Sequence, residues 1–258
     1  MIKKRGLKFG THYITRPNIM VYRKVDYPTP PVEGMMHFIY LANDYDGTKI
    51  PNRATNSTVG DYLKCGDQIS KNGSGENCYL TNGLDPSSYL YTRLSTSDRD
   101  LMKADNGTYT FFVRVMQDVS TPVGGIISWR FNAETGPGDS YNYMIRCLNN
   151  KLEIHFGGGN DTGIYLTTDK VIKIEVSGIN FTVTVTDLSN GTTWQGEDYE
   201  DKGMSVYMAS FVACGYGDPP FTGTEEYLDR FYAIAGIARA TTSDEDTQIS
   251  SYLMNQGL

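Results

Sequence analysis

Long apolar runs are missing from this chain. Nowhere does it approach the roughly 18 consecutive apolar residues of a membrane-crossing helix. No apolar stretch follows the basic start as it would in a secretory signal, because Gly6, Lys8, Gly10, His12, Arg16, Pro17 and Asn18 interrupt residues 6–20. The expectation is a chain made in the cytoplasm, without a membrane span and not secreted by the usual route. The six Asn-x-Ser/Thr triplets, at Asn56, Asn72, Asn106, Asn160, Asn180 and Asn190, then read as a by-product of a Thr- and Asn-rich chain. Cysteine is scarce, at four. Cys65, Cys78, Cys147 and Cys214 lack zinc-type spacing. Cys65 and Cys78 flank a polar loop and suit pairing in an oxidising compartment, but a cytoplasmic chain keeps them as thiols. Cys147 and Cys214 stand in apolar surroundings as small core residues.

Histidine is scarcer still, at three, and tryptophan at two. His12, His37 and His155 have no Ser or Cys elbow beside them and read as surface or rim residues. GGGN (157–160) precedes no helix and lacks Gly-Lys-Ser/Thr, so it reads as a loop and not a phosphate cradle. What the chain has instead is 19 Tyr and 27 Gly, a balance that favours strands joined by tight turns.

Charge divides the chain. The net charge is -7, yet residues 1–25 hold seven of the 23 Lys and Arg and no acid until Asp26. The remaining 16 bases face 30 acids, a balance of -14. Apolar Phe9, Tyr13, Ile14, Ile19, Met20, Val21 and Tyr22 are interleaved with the bases, more than a disordered polycation carries. An arm that docks on an acidic protein surface is favoured over nucleic-acid binding. DYPTPPVEG (26–34) is a stiff, proline-rich connector. The reading is an extended basic arm and linker over 1–33 and a globular body over 34–258.

The body is patterned as antiparallel β. TYTFFVRVM (108–116) places Tyr109, Phe111, Val113 and Val115 on one face, and Phe112, Arg114 and Met116 on the other, so it is expected to be covered on both sides. NYMIRCLNNKLEIHF (142–156) predicts a hairpin turning at Asn149-Asn150. KVIKIEVSGINFTVTVTDLSNGTTW (170–194) alternates apolar and polar residues twice more before a second turn at Asn190-Gly191. One helix is predicted within ATTSDEDTQISSYLMNQGL (240–258). Thr242 and Ser243 are its N-cap candidates, Glu245 lies three residues after Thr242 where it closes a capping box, and Ile249 and Leu253 form its apolar stripe. It is too short to stand alone and must lie on the sandwich.

The order of these segments resembles the concanavalin A-like, laminin-G-like domains. FYAIAGIARATTSDEDTQISSYL (231–253) is similar to that family's last strand, "RA-S-eE" turn and short helix. FIYLANDYDGTKIPNRATNS (38–57) resembles its first strand and loop, and TYTFFVRVM, YMIRCLNNKLEIHF and IKIEVSGINFTVTVTD resemble its central strands. The resemblance spans roughly residues 34–256 and implies an all-β, antiparallel jelly-roll sandwich with a short C-terminal helix. It does not imply one function. Members bind sugars or proteins, hydrolyse glycans, or serve as structural modules, including in bacteriophage structural and tail-associated proteins.

Each chemistry can be searched for. A retaining glycosidase of this fold needs two acids on alternate residues of one apolar strand, roughly 5–5.5 Å apart. GEDYEDKG (196–203), TEEYLDRF (224–231) and SDEDTQ (243–248) do not provide that, so no catalytic residue is assigned and no enzyme is expected. Asp44 and Asp46 in NDYDG, with Asp139, Asp161 and Asp218, are weak calcium candidates, since Asx beside Gly is first a turn former; no cofactor is otherwise called for. For a sugar, Trp194 after the Asn190-Gly191 turn is the first surface ring, with Tyr141 and Tyr143 beside GPGDS. The leading expectation is a non-enzymatic bacteriophage virion protein, head-decorating or tail-associated. Its arm, with Arg5, Lys8, Phe9, Tyr13, Arg16, Tyr22, Arg23 and Lys24, would anchor it to other virion proteins or to copies of itself. The alternative is a carbohydrate-binding module for a cell-surface glycan.

Overall fold

The computed structural model describes residues 8–9, 12–13, 30–32, 34–82, 88–93, 95, 97–98, 108–117, 124–131, 142–155, 159–177, 182–197, 208–213 and 229–258. In chain order the strands are β1 (Lys8–Phe9), β2 (His12–Tyr13), β3 (Met36–Leu41), β4 (Lys49–Ile50), β5 (Tyr62–Cys65), β6 (Ser70–Asn72), β7 (Tyr79–Thr81), β8 (Tyr89–Arg93) and β9 (Thr108–Met116). They continue with β10 (Gly124–Phe131), β11 (Asn142–Leu148), β12 (Lys151–His155), β13 (Gly159–Tyr165), β14 (Lys170–Ser177), β15 (Thr182–Asp187), β16 (Thr193–Glu197), β17 (Met208–Ala213) and β18 (Arg230–Ile237). Helix α1 is Ser243–Met254.

Strands β3–β18 form a jelly-roll sandwich of two antiparallel sheets, and β1 and β2 pair in a separate ribbon. The front sheet runs β13-β12-β11-β10-β17-β8-β5-β4, and the back sheet β16-β15-β14-β9-β18-β7-β6, with β3 also on β18. Alternation decides which side chains meet. Phe111, Val113 and Val115 of β9, Ile172, Ile174 and Val176 of β14, and Val183 and Val185 of β15 point inward from the back sheet. Ile145, Cys147, Leu152, Ile154 and Ile164 meet them from the front sheet. Tyrosine is spent here too: Tyr40 stacks on Tyr62 at 4.3 Å and donates its hydroxyl to the Gly60 carbonyl at 2.6 Å. The turn between β11 and β12 holds Asn149 and Asn150 at φ 51° and 63°, the left-handed pair that fixes a two-residue hairpin register.

The expectation that β9 is covered on both faces holds. A second cluster lies on the outer face of the back sheet, where Met36, Ile39, Leu41, Phe112, Val171, Ala233, Ala235 and Ile237 receive Ile249, Tyr252 and Leu253 of α1. Each such aliphatic burial is worth about 1.5–3 kcal/mol. The helix starts as its sequence specifies: the Glu245 amide donates to Thr242 Oγ1, and the Thr242 amide donates to Glu245. Arg239 holds the same carboxylate in two contacts of 2.9 and 2.6 Å, pulling the Glu245 pKa down to about 2.

The other end of α1 is tied by Arg114, 2% exposed in the middle of β9. Its Nε and Nη2 donate to the two oxygens of Asp169 at 2.9 and 2.5 Å. Its Nη1 donates to the carbonyls of Glu76, Leu253 and Met254 at 2.8, 3.2 and 2.7 Å. Tyr232 lies under the guanidinium at 4.3 Å. Three fixed directions of one planar group thus neutralise a carboxylate and satisfy helix-end carbonyls that have no partner within the helix. Gln256, fully buried, adds a second clasp: its Nε2 donates to the Cys78 and Tyr232 carbonyls, and its Oε1 accepts from the Asn43 amide. Arg114→Met should therefore cost about 3–5 kcal/mol in urea unfolding, the range for breaking a buried ion pair. Thr242→Ala should cost only about 1 kcal/mol, for a lost cap. Equal costs for the two would remove Arg114 from its role as the anchor.

Candidate functional site

The β12–β13 hairpin forms one lateral edge of the front sheet. Alternation sends Leu152 and Ile154, then Thr162 and Ile164, into the core, and Thr162 Oγ1 donates to the Leu152 carbonyl at 2.7 Å. The opposite face takes Lys151, Asp161 and Tyr165. The register pairs Lys151 with Tyr165 and Glu153 with Asp161, with an irregularity between. Gly163, at φ 71°, absorbs that irregularity, and its amide donates to Asp161 Oδ1 at 2.8 Å. The end of β13 is fixed by the Leu166 amide on the Asn150 carbonyl and the Gln117 amide on the Leu166 carbonyl.

Tyr165 is 53% exposed and is the only exposed aromatic ring among the described side chains. Lys151 Nζ donates to Asp161 Oδ2 at 2.6 Å and stands 5.5 Å from the centre of the Tyr165 ring. The hydrogen bond and charge of Asp161 raise the Lys151 pKa, and Lys151 lowers that of Asp161 in return. Behind this pair, Arg146 Nε donates to Glu153 at 2.8 Å. The result is an open ring with an ammonium donor and a carboxylate acceptor at its border. Such a set stacks and hydrogen-bonds a polyhydroxylated ring.

The sequence-chosen rings fare differently. Trp194 is half-buried, not on the surface. Val185 stands opposite it in register, and it packs on the main core. Its indole is folded over Gly196, where an added Cβ would lie 2.3 Å from the ring. Tyr143 occupies a β11 position opposite Trp129, and its side chain lies outside the described set, as does all of Tyr141. Of the arm, Lys8, Phe9 and Tyr13 are described only as backbone, in a small antiparallel ribbon with Lys8 opposite Tyr13 and Phe9 opposite His12. Arg5, Arg16, Tyr22, Arg23 and Lys24 lie outside the described residues. GGGN is not wholly loop, since Gly159 and Asn160 begin β13.

The NDYDG loop is held by protein groups. Arg53 grips both oxygens of Asp44, at 2.5 and 2.6 Å. Asp46 Oδ1 accepts from the Thr48 hydroxyl and from the Thr48 and Lys49 amides, as an Asx turn does. Lys71 Nζ donates to the Asn43 and Tyr45 carbonyls at 2.6 and 3.2 Å. Cys65, Cys78 and Cys147 are free thiols, and burial pushes Cys147 up to about 12.

His37 corrects the rim reading. It is 6% exposed, with Nδ1 at 2.8 Å from the Tyr109 hydroxyl and Nε2 at 3.4 Å from Asp98. Asp98 is buried as well, and accepts from Thr58 Oγ1 and from the amide and hydroxyl of Ser95. Burial lowers the His37 pKa despite the neighbouring carboxylate. The folded state therefore resists a proton that the unfolded imidazole accepts near its ordinary value of about 6.5. Its contribution is present above that value and is lost as pH falls through it. Chemical denaturation between about pH 7 and 5 should show stability declining, and His37→Gln should flatten that slope. An unchanged slope would show that His37 is not its source.

No protein-family model matches the chain, and no curated protein matches it in sequence. Solved structures do match in shape. A Trypanosoma rangeli sialidase, bound to 2-keto-3-deoxy-D-glycero-D-galacto-2,3-difluoro-nononic acid, aligns with a TM-score of 0.57 at 10% identity, over 90% of this chain and 37% of its own. Domain 4 of AbnA, a GH43 extracellular arabinanase from Geobacillus stearothermophilus in complex with arabinotriose, aligns at 0.51 and 13% identity, over 84% of this chain and 99% of its own. The binding domain of Paraclostridial Mosquitocidal Protein 1 aligns at 0.54 and 12% identity, over 84% of this chain and 52% of its own. The chain thus spans about a third of the sialidase. At these identities the likeness establishes the β-sandwich fold.

Proposed function

We propose that the protein is a non-catalytic carbohydrate-recognition module whose contact surface is the β12–β13 edge of the front sheet. The observation that carries this reading is Tyr165, an exposed ring held in a fixed strand position beside Lys151 and Asp161. A core tyrosine would be buried like Tyr40, Tyr62 and Tyr109; this one is displayed. The arabinotriose-bound arabinanase domain and the toxin binding domain support the reading as examples of the same sandwich used for recognition. Replacing Tyr165 by Ala should weaken retention on immobilised polysaccharide roughly 5- to 30-fold, the usual effect of losing a central aromatic anchor. Its unfolding midpoint should be unchanged. Trp194→Ala should do the reverse, lowering stability through the core. Retention unaffected by Tyr165→Ala would rule out this surface.

The charge division favours a wider setting. A charge of +7 on residues 1–25 against -14 on residues 26–258 suits an arm that binds an acidic neighbour, and the module then rides on a larger assembly. In this second reading the assembly is a bacteriophage virion, with the module head-decorating or tail-associated and the arm seated on another virion protein or on a second copy. Deleting residues 1–33 should leave polysaccharide retention intact while abolishing co-sedimentation with particles in a density gradient. Normal particle occupancy of the truncated chain would end the arm-anchoring reading.

A further inference from the structure

Resting on the carbohydrate reading of the β12–β13 edge, we infer that its ligand is an uncharged polysaccharide, bound through the face of one sugar ring. The argument is the charge balance of the site. Among the described side chains its cations are already spent, Lys151 on Asp161 at 2.6 Å and Arg146 on Glu153 at 2.8 Å. Asp161 is held in place by a second bond, from the Gly163 amide to its other oxygen, so it cannot swing aside. A carboxylate or sulfate on the ligand can only accept hydrogen bonds. It would have to win Lys151 from Asp161 while standing against the Asp161 oxygens, an arrangement that works against anions.

A neutral hydroxyl both donates and accepts. It satisfies the remaining Lys151 N–H bonds and the Asp161 lone pairs together, without breaking the pair. The ammonium interacts with the Tyr165 side chain but stands 5.5 Å from the ring centre, at the outer reach of a cation–π contact, and the residue stays 53% exposed. Residues 26–258, which together carry -14, act in the same sense over longer range by repelling a polyanion.

The test uses the full chain and five polymers of known charge: laminarin, mannan and arabinan as neutral probes, polygalacturonate and polysialic acid as anionic ones. Binding is measured at about 50 and about 500 mM salt, which shortens the Debye length roughly threefold. The expected result is binding of at least one neutral polymer, with a Kd that changes less than about twofold with salt and weakens about tenfold in Tyr165→Ala. Polyanion binding that fades with salt and is lost in Tyr165→Ala overturns the neutral-ligand inference but leaves the site standing. Neutral binding untouched by Tyr165→Ala overturns the site itself. Failure of all three neutral polymers overturns the inference.

Discussion

The guanidinium of Arg114 is the tie on which the back of the molecule depends. A cation buried in a strand is costly unless its donors are paired, and here one group joins β9, Asp169, the Glu76 carbonyl and the end of α1. Because the group is planar and its donors diverge, it fixes the helix against the sheet in position and direction, which the apolar contacts of Ile249 and Leu253 alone do not. Gln256 repeats the device one turn further on, and Arg53, held by Asp44, reaches the Tyr252 hydroxyl and the Gly257 carbonyl. The outer face of the back sheet over β3, β9, β14 and β18 is therefore occupied by the fold itself.

That closure divides the labour of the two sheets. In the back sheet, β3, β9, β14 and β18 spend outward apolar side chains on α1. The β12–β13 edge of the front sheet spends its own on the surface, where Lys151 and Asp161 frame Tyr165 in place of a covering element. The interior ionic and polar groups do structural work: Lys170 with Asp187, His37 with Asp98, Arg53 with Asp44. The β12–β13 edge carries the same kind of ion pair, but exposed, where exchanging bonds with a hydroxylated ligand has little desolvation cost.

What was legible in the sequence was local. Alternation in β14 and β15, the Asn149-Asn150 turn and the Thr242–Glu245 box are each written within a few residues, and each took its expected form. What was not legible was distant. His37 finds its partner 61 residues away, so its burial does not show in its neighbourhood; the cover over Arg114 shows in Phe112 and Met116, but its partner Asp169, 55 residues away, does not. Trp194 follows a surface turn, but strand parity turns it inward and Gly196 makes room for it. Tyr165 stands beside none of the turn motifs that mark a surface ring, although residues 161–166 keep strict exposed–buried alternation through Gly163. The buried Ile164 and Leu166 on either side are the signal that sends it outward.

The central claim, that recognition belongs to the front-sheet edge, is tested most directly by a two-dimensional amide NMR titration of the full chain with a neutral oligosaccharide such as arabinotriose. The account predicts shift changes concentrated on amides of residues 151–153 and 160–166, with α1 and β9 unmoved. Shift changes centred on α1 or β16, with the 160–166 amides silent, would contradict it.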